Sequence, residues 1–205
     1  PKTKTNEQRR ELPALDFRAA FSPASINEEQ RTAELVWTTG ARVLRYGWGG
    51  KFFEELSTDP KHVRMERLNG GAPFLNVHNA YDLLDVIGVV ESATIKKGEG
   101  RAIVRFSERA EVAPIFADVK AGVIRNVSVG YRVHTFEQVE GGDDEIPVYR
   151  AVDWEPYEIS AVPMGADAGA GFRSEKQNTL NECVVITRDI GELGAMKKFW
   201  RTNAD

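Results

Sequence analysis

The sequence predicts a mainly β fold with some α: a small closed or nearly closed antiparallel β-barrel of about seven strands with a long covering helix. Three observations predict it. Short segments with alternating apolar and polar residues recur about every ten residues, separated by turn residues. One stretch, residues 107–121, changes to a helical period, with Val112, Ile115, Phe116 and Val119 at i, i+3, i+4 and i+7. Alternation of strands with helices, which would build a parallel sheet, is missing, and so is any internal repeat.

Composition narrows the classes of function. The 205 residues suit one domain with tails, and 41% hydrophobic with 28% charged residues is ordinary for a soluble globular chain. A net charge of −4, from 27 basic and 31 acidic residues, argues against nucleic-acid binding as the main role. No apolar run is long enough to span a bilayer, and the start, PKTKTNEQRREL, has no signal-peptide core, so a cytoplasmic protein without a membrane partner is expected. The single cysteine, Cys183, excludes an internal disulfide framework, suits a reducing compartment and reads as a bystander in a polar stretch. With it, three scattered histidines make no metal-ligand spacing, and no phosphate-cradling glycine loop precedes a helix, so neither metal nor cofactor is expected.

In chain order, residues 1–14 are polar with mixed charge and read as a flexible tail. The folded domain is placed at 15–172, with a linker and C-terminal tail at 173–205. Residues 15–21 alternate weakly. After a polar break, Ala33, Leu35 and Trp37 alternate with Glu34, Val36 and Thr38, which is a strand. ARVLRYGW follows at 41–48, then a turn at Gly49–Gly50. KFFEEL at 51–56 reads as a short helix, stopped before Pro60 because the residue preceding proline disfavours the α region. Residues 63–68 read as a short strand or loop, Asn69-Gly70-Gly71 as a turn, and PFLNVHN at 73–79 as a buried run containing His78.

Residues 85–96 form a strand with Ile87, Val89, Ala93 and Ile95 on one face and Glu91 out of pattern. KKGEG at 96–100 is a hairpin signal, and the chain returns with Ala102, Val104 and Phe106 inward. The helix starts at an N-cap Ser107 with a kink at Pro114, or begins nearer Glu111, and ends at Gly122 as its C′ residue. A strand at 122–134 turns Val123, Val127, Val129, Tyr131 and Val133 one way, and Ser128, Gly130, Arg132 and His134 the other. Gly141–Asp144 is an exposed turn. The last strand runs over 146–162 with a break at Pro156, and residues 184–200 read as a docking segment.

The polar face of GVIRNVSVGYRVH is the chemical signal. A serine beside the space a glycine leaves, on a strand held by valines, can present an exposed nucleophile; taken alone it is also an ordinary solvated face. Serine needs a base, and imidazole can take its proton and return it to a leaving amine. Of the three histidines, His78 lies at the end of an apolar run, and His134 is six residues from Ser128, roughly 20 Å along a strand. A carboxylate on the aromatic and aliphatic strand WEPYEISAVP wants a partner, and Glu158 could orient His78, with Glu155 and Asp153 as competitors. Backbone N–H groups at Val129 and Gly130, or the side chain of Arg132, could stabilise an oxyanion. NVSVG is not a nucleophile elbow, which argues against an α/β-hydrolase.

An ordered set of segments carries a resemblance: LNGGAPFLNVHN at 68–79, VIGVVE at 86–91, RFSERAE at 105–111, GVIRNVSVGYRV at 122–133 and WEPYEISAVPMGADAGA at 154–170. Over roughly residues 17–173 the chain resembles the prohead (capsid-maturation) serine proteases of tailed bacteriophages, a family similar in fold to the herpesvirus assemblins. The resemblance implies a herpesvirus-protease-like barrel, with His78 as general base, Ser128 as nucleophile and Glu158 as third member. The usual proline-rich ending of the last segment is replaced here by GADAG at 165–169. The family cleaves scaffold or the N-terminal region of the major capsid protein, and then itself, inside the immature capsid in the host cytoplasm. The two tails fit self-cleavage or docking to the shell, and self-association is compatible with that setting. The rival is a catalytically inactive capsid-assembly or scaffold module with the same barrel.

Overall fold

The computed structural model describes residues 5–13, 15–21, 25–47, 50–96, 98–139, 146–163 and 180–188. The strands are β1 (Thr5–Pro13), β2 (Leu15–Phe21), β3 (Thr32–Thr38), β4 (Val43–Gly47), β5 (Gly50–Leu56), β6 (Pro73–Asn76), β7 (Val86–Lys96), β8 (Glu99–Phe106), β9 (Asn126–Val139), β10 (Val148–Val162) and β11 (Leu180–Arg188). The helices are α1 (Glu66–Asn69) and α2 (Ala113–Lys120).

The strands pair in the order β1-β11-β9-β2-β3-β8-β7-β6-β10-β5-β4, and β9 also pairs with β10. Seven of them, from β9 through β2, β3, β8, β7 and β6 to β10, curl around the core as one mixed sheet. The closed or nearly closed antiparallel barrel expected from the sequence is corrected in strand direction, because the sheet is mixed. β10 runs parallel to β6 and β5, and β11 runs parallel to β9. Tight turns enforce antiparallel neighbours, whereas β6 and β10 are joined through four intervening elements, so no hairpin sets their direction. With only four residues, β6 makes a shallow wall between the long β7 and β10.

Alternation explains most strands. Ala33, Leu35 and Trp37 on β3, and Ala102, Val104 and Phe106 on β8, are all inward, as expected. Trp37 meets Trp154 with ring centroids 5.8 Å apart, and Phe106 packs edge-on to Phe74 at 5.3 Å and against Phe116 of α2 at 5.0 Å. Glu91 fell out of pattern because β7 carries a register shift between Val90 and Ser92, which lets Glu91 and Ser92 both face solvent.

Other expectations change. KFFEEL is strand β5, with Phe52, Glu54 and Leu56 inward. The long covering helix is short, spanning eight residues, with Val112 as N-cap and Pro114 at its second position, where a missing N–H costs nothing. Ser107 does not cap it; its hydroxyl accepts from the Arg109 N–H instead. Val112, Phe116 and Val119 form the buried face, and Gly122 (φ +72°) closes the helix in a Schellman motif, with Gly122 N–H donating to Val119 O and Val123 N–H to Asp118 O. Val123 is therefore exposed rather than on the inward face, and the strand starts at Asn126.

Pro156 does not break β10. It sits at a register shift opposite Tyr131, and the strand bends and continues to Val162. Residues 5–13, read as flexible tail, pair with β11, so each presumed tail contributes a strand to the sheet. Cys183, expected as a bystander in a polar stretch, is buried on β11. The expected turns at residues 141–144 and the linker at 173–179 lie outside the described residues.

Candidate active site

The site is assembled on the longest strand pair. β9 and β10 are antiparallel, with Ser128 directly opposite Ser160 and Gly130 opposite Glu158. Alternation puts Ser128 and Gly130 on one face of β9, and Glu158 and Ser160 on one face of β10. β6 runs alongside β10, with Leu75 opposite Ser160 and Asn76 opposite Ala161. Immediately after β6 the chain turns back. Val77 N–H donates to Ala161 O at 3.0 Å, and both Val77 (φ +50°) and His78 (φ +59°) take left-handed backbone. For a β-branched residue that conformation is strained, and strain of this kind persists only where the surroundings over-determine it.

Those surroundings are visible. The His78 N–H donates to Ser160 Oγ at 3.0 Å, Ser160 Oγ donates to Glu158 Oε2 at 2.6 Å, and His78 Nδ1 lies 2.5 Å from Glu158 Oε1. On the far side of the turn, Asp85 accepts from the side chains of Asn76 (2.8 Å) and Asn79 (2.5 Å), and the Arg109 guanidinium donates to the carbonyls of Leu83, Leu84 and Val86. The segment after β6 is thus held by polar bonds while Tyr81, Leu83 and Leu84 project into solvent.

His78 and Glu158 are thus brought into contact, and Ser128 lies on the neighbouring strand opposite Ser160. Ser128 is only 4% exposed, so the open nucleophile expected from the strand pattern is instead a buried hydroxyl. Cross-strand pairing places it against Ser160. The competitors of Glu158 lie further along β10. Asp153 holds the Arg64 guanidinium through two bonds of 2.7 Å, and Glu155 faces Arg132 across the ladder. His134 lies beyond, and burial, followed by the nearby Arg64 charge, pushes its pKa down.

Val129 is fully buried on the core side, and Val129 and Gly130 both lie where β9 is paired with β2 on one side and β10 on the other. Arg132 is half-buried, and its Nε has no hydrogen-bond partner among the described residues. The glycine at 130 has a visible reason: a Cβ there would come within 2.2 Å of Glu158 Oε1.

Sequence reasoning missed two features. Ser160 went unnoticed, although its i+2 spacing from Glu158 puts both on one strand face. A second serine–histidine pair also exists: Ser57 Oγ is 2.7 Å from His62 Nδ1 and accepts the Asp59 N–H at 3.3 Å. Among the described residues no group of His, Cys, Asp and Glu side chains could hold a metal ion, and no helix is long and apolar enough to cross a membrane.

A buried histidine–carboxylate pair thus lies on a curled mixed sheet, with a serine on the neighbouring strand. The model of the family described as caudovirus prohead serine protease matches residues 69–182, more than half of the chain, and the chain belongs to that family. A relative, the major capsid protein of Halomonas phage phiHAP-1, is 36% identical over 148 residues, covering 71% of this chain. The match covers 24% of the relative, so the chain spans about a quarter of its length. No solved structure matches.

Proposed function

We propose that this chain is a serine endopeptidase of prohead maturation, with Ser128 as nucleophile, His78 as general base and Glu158 as the group that orients His78. The observation that carries the proposal is the 2.5 Å contact between His78 Nδ1 and Glu158 on the strand pair that holds Ser128. With Nδ1–H held by the carboxylate, Nε2 is the nitrogen that acts as base. Ser128 Oγ bonds to the scissile carbonyl carbon as its proton passes to Nε2. The protonated imidazole gives that proton to the departing amine, and water then releases the acyl group by the same route. Arg132 is the preferred oxyanion donor of the three residues considered, since Val129 and Gly130 sit in doubly paired strand.

The proposed substrates are the capsid protein and scaffold, with self-cleavage near the chain's own ends, all inside the prohead in the host cytoplasm. The family and the capsid-protein name of the relative support that setting. The exposed apolar Tyr81, Leu83 and Leu84, on the segment that carries His78, suit a polypeptide substrate continuous with the site. A herpesvirus-assemblin-like barrel is part of the same proposal.

Burial of Ser128 favours one rival, a catalytically inactive assembly module. Intact mass of wild type beside Ser128→Ala, together with labelling by a serine-directed phosphonate, separates the two. Trimming and a label at Ser128 in wild type only establish the protease. Full-length, unlabelled wild type would establish the inactive module.

A further inference from the structure

We propose that Ser160 is a positioning residue of this site, a hydroxyl clamp that ties the backbone of His78 to the carboxylate of Glu158. The inference rests on the catalytic reading above.

The hydroxyl has one proton and two acceptor lone pairs. Its proton goes to Glu158 Oε2 at 2.6 Å, and it accepts the His78 N–H at 3.0 Å. The remaining carboxylate oxygen, Oε1, is thereby turned toward His78 Nδ1 at 2.5 Å. The three bonds form a closed ring: Ser160 to Glu158, Glu158 to the imidazole, and the backbone of His78 back to Ser160. A carboxylate at the end of a flexible side chain loses its choice of rotamer in such a ring. A histidine in left-handed backbone is held by the same hydroxyl.

Strand geometry makes the ring possible. Glu158 and Ser160 share one face of β10 as i and i+2, and the parallel neighbour β6 delivers His78 to that face. Gly130, opposite Glu158, leaves the room that the carboxylate occupies. Ser160 is fully buried, so water does not compete for these bonds. A residue at 160 must be small, must donate and must accept at once, which alanine cannot do and a thiol does poorly.

The test compares wild type, Ser160→Ala and Ser160→Cys by two independent readouts. The first is the tautomer of His78, read from imidazole 15N shifts. The second is the rate of phosphonate labelling at Ser128. In wild type at neutral pH the proton should reside on Nδ1. In both variants the tautomers should mix and labelling should slow by roughly tenfold or more, the scale of a small misplacement at a reacting centre. Cysteine fills the serine volume, so a packing role predicts that Ser160→Cys behaves as wild type; that result would overturn the clamp. So would a Ser160→Ala protein with an unmixed tautomer and a wild-type labelling rate. If wild type itself takes no label, the catalytic reading fails, while the His78 tautomer in the three proteins still decides whether Ser160 sets the pair.

Discussion

Two buried carboxylates, Glu54 on β5 and Glu158 on β10, serve adjacent residues of β9, and they differ in what they hold. Glu54 Oε2 accepts from Arg45 Nε at 2.8 Å and from the Tyr131 hydroxyl at 2.5 Å, and Arg45 also donates to Tyr131 at 2.9 Å. Glu158 accepts from Ser160 at 2.6 Å and lies 2.5 Å from His78. Both are nearly inaccessible and both have two close partners. Burial alone therefore does not separate the two. The partners do. Burial opposes the charge of Arg45, but Tyr131 and Glu54 beside it outweigh burial and raise its pKa, so the guanidinium stays charged at any working pH. An imidazole can change its charge near neutrality. The first network is a permanent staple between the β4–β5 hairpin and β9. The second, on the catalytic reading proposed above, passes a proton.

The sharpest way to break this comparison is the same substitution at both positions. Glu158→Gln should lower the labelling rate at Ser128 by on the order of 10²–10⁴-fold, as loss of an orienting carboxylate does, with the fold retained. Glu54→Gln leaves the Arg45 guanidinium buried without its counter-charge. It should cost about 3–5 kcal/mol in a urea titration while the folded fraction labels at the wild-type rate. Exchanged outcomes, with Glu54 controlling rate and Glu158 controlling stability, would reverse the assignment.

Gly130→Ala probes the space rather than the charge. The added methyl carbon would lie 2.2 Å from Glu158 Oε1, so the carboxylate must move off His78. Labelling should fall by about 10²-fold, the usual effect of displacing a catalytic group by an ångström, with circular dichroism unchanged. Wild-type labelling in this variant would mean that the glycine serves another purpose.

One residue along, Tyr131→Phe should act on stability alone. Burial first, and then the Glu54 charge, hold the Tyr131 pKa well above its ordinary value, so its hydroxyl remains a donor across the working range. Removing it deprives Glu54 of a partner and should cost about 1–3 kcal/mol by urea unfolding.

Much of the sheet was legible because its strands obey local alternation. Ala33, Leu35 and Trp37 needed no distant information, nor did the buried face of α2 or the role of Gly122. KFFEEL misled because its two glutamates suit a helix, and only Arg45 and Tyr131, the latter 77 residues away, make a buried Glu54 tolerable. The parallel seam between β6 and β10 is a long-range pairing with no local signature. At the site, the residue types and a carboxylate partner for His78 were legible, but the choice among three carboxylates was not. Glu158 and His78 are 80 residues apart, and the choice among Asp153, Glu155 and Glu158 depended on which faces Arg64, which faces Arg132 and which faces the turn after β6. Ser160 was within reach, since glutamate and serine two apart on a buried strand share a face. What gives that pairing meaning is the backbone N–H of His78, which the sequence does not display.

The smallest expected effect separates the third histidine from the site. His134 lies on the Ser128 face of β9, and its pKa is lowered first by burial and then by Arg64 and Arg132, with Asp153 and Glu155 opposing. A lowered folded value means that the unfolded chain binds the proton more readily. His134 therefore subtracts stability as pH falls through the ordinary imidazole value of about 6.5, and the loss is complete below the folded value. His134→Gln removes that loss, so its urea midpoint should fall less than that of wild type between about pH 7.5 and pH 5. The acid limb of phosphonate labelling, which the proposed function assigns to His78, should not move. A limb that shifts with His134→Gln would put this histidine, rather than the one paired with Glu158, in control of the serine.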